Sequence, residues 1–135
     1  MPRGISAKAD DGDRGVRPCL TPIPRDDVNL KTARFRAALV LYPGCGPKAL
    51  LSERCRADAP VWAFLGADDE EVSPTVCEKV LRQASGGPIA VTVYPGATHD
   101  FDDPGAARQA VAGNRTAKDD AMTRAAAQFD AVPAR

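Results

Sequence analysis

The sequence has no excess charge of either sign: 18 Lys and Arg balance 18 Asp and Glu. No long-range field therefore steers it to nucleic acid or to an anionic membrane surface. It also lacks any apolar run near the ~20 residues that a bilayer-spanning helix needs. Met1-Pro2-Arg3-Gly4 leads into polar residues, which is not how a signal peptide reads. Histidine occurs once, at His99, and the four cysteines (Cys19, Cys45, Cys55, Cys77) include no C-x-x-C pair. Their spacings of 26, 10 and 22 residues do not suggest a zinc site. Nothing signals export, so reduced thiols in a cytoplasmic protein are the expectation. Apolar residues are 44% of the chain and charged residues 27%, the balance of a folded and not a disordered chain.

Gly and Pro are plentiful, 11 and 12 of 135 residues, so long uninterrupted elements are few. Residues 1–34 are punctuated by Gly4, Gly12, Gly15, Pro18, Pro22 and Pro24 and read as a flexible or irregular lead-in. Three apolar runs follow, each closed by turn formers: 36–42 before Pro43-Gly44, 61–65 before Gly66, and 89–94 before Pro95-Gly96. Their length and β-branched or aromatic content predict strands covered on both faces. Between them, Ser73 with Pro74 opens a helix that ends near Gly86-Gly87, with Val76, Val80 and Leu81 at helical spacing. A shorter crossover over 47–58 predicts one or two helical turns including Cys55. The last helix is expected over 117–131, with Met122, Ala125, Ala126 and Phe129 on its buried face. The alternation implies an α/β protein, three parallel strands with helices on both faces in αβα layers.

Ligands of open parallel sheets gather beyond the C-terminal strand ends. Here those ends carry Tyr42-Pro43-Gly44-Cys45-Gly46, the acidic run Asp68-Asp69-Glu70-Glu71, and the stretch from Pro95 to Asp102 holding His99. A carboxylate after one strand and the lone histidine after the next can form an oriented general base. The competing account is a solvated acidic loop beside a capping histidine. Phe101 is expected as an apolar wall near His99, Trp62 as packing, and Asp100, Asp102 and Asp103 as solvent-exposed.

From 35 to 132 the chain resembles the C-terminal half of the dienelactone hydrolase family, within the α/β-hydrolases. Leu41 to Gly46 is similar to the strand end that follows that family's nucleophile unit. The segment from Pro60 to Pro74 (apolar strand, Gly66, two residues, Asp69, two residues, Val72) resembles the turn bearing the triad acid. Val93 to Asp102 resembles the histidine turn. The resemblance implies Asp69 as acid, with Asp68 the neighbouring alternative, and His99 as base. It further implies a small ester or lactone as substrate, and no cofactor and no metal.

The nucleophile of this fold sits in a G-x-S-x-G or G-x-C-x-G elbow. No such pentapeptide occurs in the sequence. Cys45, flanked by Gly44 and Gly46, is a substitute on chemical grounds. Against it, Pro47 compromises the helix that would lower its pKa. Two expectations stand side by side. One is a partial ester or lactone hydrolase, completed by a further segment or a complementing chain at the sheet edge. The other is a small αβα protein without catalysis, acting through self-association or without present function.

Overall fold

A computed structural model describes Arg17–Pro18, 36–46, 55–57 and 59–133. Its main sheet has three parallel strands in the order β2 (Ala38–Leu41), β4 (Val61–Gly66), β6 (Ile89–Tyr94). The ladder pairs Ala38 with Val61 and Val61 with Ile89, and runs on to Gly66 beside Tyr94. A second small parallel sheet joins β1 (Arg17–Pro18), β3 (Cys55–Ala57) and β5 (Ser85–Gly86). These segments of two or three residues are too short to show a period. Cys55 thus lies on a strand and not on the expected helix. Arg17–Pro18 form a strand within the expected lead-in, the rest of which lies outside the described residues.

The central strand explains the layers. Side chains alternate across a strand, and both faces of β4 are covered. Ala63 and Leu65 pack with Cys77, Val80 and Leu81 of helix α1 (Pro74–Gln83). Phe64 meets Tyr94, Ala97, Phe101 and, from helix α3 (Ala112–Asp130), Ala117 and Ala121. Phe64, Leu65 and Leu81 are each about 1% exposed, and burying such a side chain is worth roughly 1.5–3 kcal/mol. The result is a three-stranded parallel sheet with a helix on each face, the αβα layering expected. Ser73 caps α1 by accepting from Val76 N–H, with Pro74 in the first turn. The helix ends at Gln83 because Ala84 turns extended, three residues before the Gly86-Gly87 stop ends.

The last helix starts earlier than its apolar spacing predicts and turns a different face inward. Asn114, Ala117 and Ala121 are buried, with Ala125 packed beside them, whereas Met122 and Phe129 are nearly half exposed. The reason is proximity. An alanine Cβ at Gly113 would lie 2.1 Å from the Gly96 carbonyl oxygen. Only small residues let α3 come that close to the chain after β6. Phe129 instead reaches Trp62 edge-on, at 5.5 Å between ring centroids.

Candidate active site

Gly66 ends β4, and a Cβ there would sit 2.4 Å from the Ala97 carbonyl oxygen. The turn after β6 therefore lies directly across the end of β4. Gly113 lets α3 close on the same turn from the other side. Two glycines, 47 residues apart in the chain, thus allow one turn to be held between a strand end and a helix. That turn carries His99.

The acid turn is fixed locally. Asp69 Oδ1 accepts the backbone N–H groups of Glu71 (2.8 Å) and Val72 (2.9 Å). The same carboxylate reaches the His99 ring, with Oδ2 2.9 Å and Oδ1 3.2 Å from Nδ1. Its side chain is 1% exposed, against 15% for His99. An ionised carboxylate only accepts, so in the neutral ring this pairing favours the proton on Nδ1 and a lone pair on Nε2. Nε2 points to the wetter side, 3.5 Å from Glu71 Oε2 and 3.7 Å from Asp100 Oδ1. Asp68 is exposed and meets the histidine turn only through its own N–H, which donates to Ala97 O. Of the two adjacent aspartates, the structure brings Asp69 to the histidine.

Tyr42 walls the site from the end of β2. Its ring lies 4.6 Å from the His99 ring and edge-on to Phe101. The hydroxyl donates to Asp102 Oδ1 at 2.8 Å. Burial, then the Asp102 carboxylate, pushes the Tyr42 phenol well above its ordinary range. The residue sits at φ 37°, an unusual conformation for a bulky side chain. It is retained because Tyr42 N–H donates to Phe64 O while ring and hydroxyl are held on the other side. Phe101 is fully buried, as an apolar wall. Asp102, expected in solvent, is instead part-buried and serves Tyr42.

Three further side chains hold the histidine turn, and no motif marks them in the sequence. Glu70 Oε2 accepts the His99 backbone N–H at 3.0 Å, and Glu70 Oε1 pairs with Arg108 at 2.6 Å. Asn114 Oδ1 accepts Thr98 N–H at 2.8 Å, and its amide donates to Thr98 Oγ1 and Arg108 O. Of the three, only Glu70 lies in a stretch that the sequence singles out, the acidic run 68–71.

The Arg108 guanidinium, then the His99 N–H, holds the Glu70 carboxyl down at about 2 from 4.5. A folded-state value below the unfolded one stabilises the fold above about pH 4.5, and that support drains away toward pH 2. Glu70→Gln has no charge to lose there. Its melting temperature should fall less steeply than wild type between pH 4.5 and 2, measured by circular dichroism. Parallel slopes would contradict the pairing.

Cys45 does not stand in for a nucleophile. It is joined to Cys77 by a disulfide, with Cα atoms 5.0 Å apart, inside the cluster on the α1 face. This corrects the expectation of reduced thiols at these two positions. A separation of 32 residues conceals that the loop after β2 and the first turns of α1 meet at one sheet edge. Among the described residues, no group of three or more His, Cys, Asp or Glu is placed to hold a metal ion. No helix among them is long and apolar enough to cross a membrane.

Comparison with family models matches residues 27–132 to the dienelactone hydrolase family. No curated protein and no solved structure matched the chain. The match spans both turns of the candidate site and all three strands of the main sheet. By that match, over most of its length, the chain belongs to the dienelactone hydrolase family.

Proposed function

We propose that this chain supplies the acid–base half of a site that hydrolyses a small ester or lactone. His99 is its base and Asp69 its orienting acid. The observation that carries the reading is the Asp69–His99 Nδ1 contact of 2.9 Å, made between turns that follow adjacent strands. The nucleophile is not among these 135 residues as a G-x-[SC]-x-G elbow, and the Cys45 sulfur is committed to Cys77. It is therefore assigned to a segment or chain outside this sequence.

The chemistry follows from the geometry. With Nδ1–H directed to Asp69, Nε2 accepts a proton from the attacking hydroxyl or thiol as it adds to the carbonyl. The imidazolium formed is stabilised by the buried carboxylate. Nε2 then returns that proton to the leaving alkoxide, and an acyl-enzyme remains. In the second half, Nε2 takes a proton from water as its oxygen adds to the acyl carbon; the acyl–nucleophile bond then breaks, the acid leaves, and Nε2 returns the proton to the nucleophile. Asp69 orients the ring and offsets its charge without taking the proton.

Supplied alone, residues 1–135 should hydrolyse p-nitrophenyl acetate no faster than the His99→Ala variant. A burst that depends on both His99 and Cys45 would show that the chain holds its own nucleophile. Joined to an upstream strand and elbow, the protein should gain esterase activity. Asp69→Asn should then lower kcat by about 10⁴, the typical cost of misdirecting the imidazole tautomer. The alternative of a non-catalytic αβα protein rests on the missing elbow, and it predicts no gain on completion.

A further inference from the structure

We propose that Glu70, pinned by Arg108, is a positioning residue that locks the His99 main chain so that Asp69 can select the Nδ1–H form. This rests on the reading of Asp69 and His99 as acid and base.

One turn takes hold of the histidine twice. Asp69 binds its ring through Nδ1, and the next residue, Glu70, binds its main-chain N–H at 3.0 Å. Consecutive side chains of a tight turn thus fix both ends of the His99 side-chain torsions. The Glu70 carboxylate has a reason to stay: Arg108, from helix α2 (Ala106–Gln109), donates to its other oxygen. The same Arg108 nitrogen reaches Thr98 Oγ1 at 3.2 Å. From behind, Asn114 accepts the Thr98 N–H. The two consecutive N–H groups entering the histidine are therefore held by side chains from two different directions.

An exposed ion pair is ordinarily worth little to stability. Glu70 and Arg108 are 48% and 30% exposed. Their arrangement is unusual for a stability device, because the carboxylate divides itself between a guanidinium and the amide of the proposed base. Asp100 follows at φ 52°, a left-handed conformation. With that bend directly after it, His99 has no regular secondary structure on its C-terminal side to hold it. Side chains hold the main chain at His99 instead: Glu70 accepts its N–H, and Thr98 Oγ1 donates to its carbonyl oxygen.

The test uses the full chain labelled with ¹⁵N, and His99 is the only histidine, so its ring nitrogens need no assignment. Wild type, Glu70→Ala, Glu70→Gln and Arg108→Ala are compared by two-bond ¹H–¹⁵N spectra, with the ring neutral, and by hydrogen exchange of the His99 amide. In Glu70→Ala, the Nδ1–H population should lose its dominance, and the amide should exchange about tenfold faster. Glu70→Gln keeps an acceptor and should recover most of the wild-type pattern. Arg108→Ala, which leaves every contact of Asp69 intact, should fall between them. If Glu70→Ala lowers the melting temperature without moving the ring signals, the residue is merely structural and the proposal is wrong. Should Glu70→Ala not fold, unchanged ring signals in Arg108→Ala overturn it equally. A wild-type ring that is not Nδ1–H would sink the acid–base reading itself, which separates the two failures.

Discussion

Gly113→Ala is expected to destabilise the protein by about 3 kcal/mol, the upper end for overpacking, although alanine is the better helix former. In an open helix interior the exchange gains about 1 kcal/mol. Here the new Cβ would fall 2.1 Å from Gly96 O, 2.2 Å from Gly96 C and 2.9 Å from Ala97 N. All three are backbone atoms, so no rotamer change relieves the overlap. Helix α3 has to move away from the histidine turn, drawing Asn114 off Thr98 and opening the Phe101–Ala117–Ala121 cluster. The sterics win over the propensity. Gly46→Ala is the control, since no described residue lies within 4 Å of a Cβ there. It should stay within about 0.5 kcal/mol of wild type. Urea melts of the three proteins measure the difference, and a stabilised Gly113→Ala would contradict the close approach.

Removing the Cys45–Cys77 bridge should have a comparable effect. The bond closes a loop of 32 residues. By chain entropy such a loop contributes about 3–4 kcal/mol. A chain of this size should then melt roughly 10–15 °C lower. The double variant Cys45→Ala/Cys77→Ala is preferred to serine, because both sulfurs lie in an apolar cluster with Ala63, Leu65 and Val80. A serine hydroxyl would instead bond the Pro43 carbonyl oxygen, which lies 3.3 and 2.9 Å from the two sulfurs, and so mask part of the loss. The loss should extend to the site. The bridge ties the segment after Tyr42, which walls His99, to the helix after the Asp69 turn. Reductant should reproduce the shift in wild type and leave the double variant unmoved at these positions. Equal melting temperatures for wild type and variant would contradict the bridge.

The three strands of the main sheet were legible because each carries its own punctuation. Val61 opens after Pro60 and Ile89 after Pro88, so the observed β4 and β6 begin where the prolines predict. Helix α1 was legible through its Ser73 cap and Pro74. The face of α3 was not. Apolar spacing favoured Met122 and Phe129, but the partner surface is a backbone turn at Gly96 that only Gly113, Asn114, Ala117 and Ala121 can approach. Size, not hydrophobicity, chose that face.

The candidate site divides the same way. Asp69 and His99 could be named because strand ends converge at one sheet edge and because both turns resemble known ones. Asp68 could not be separated from Asp69 by spacing. The difference lies in the turn itself, where Asp69 Oδ1 accepts the N–H groups of Glu71 and Val72. Tyr42, Glu70, Arg108 and Asn114 come from four separate segments, and no local pattern joins them. The Cys45–Cys77 pairing was hidden for the same reason: it is a property of parallel topology, not of cysteine spacing.

The most direct test of the account is the protonation site of neutral His99. A two-bond ¹H–¹⁵N spectrum of the intact chain reads it without ambiguity, as there is one histidine. The account predicts a proton fixed on Nδ1 and an unprotonated Nε2, with the pattern lost in Asp69→Asn. A ring protonated mainly on Nε2, or one indifferent to Asp69→Asn, would contradict the assignment of His99 as an oriented base.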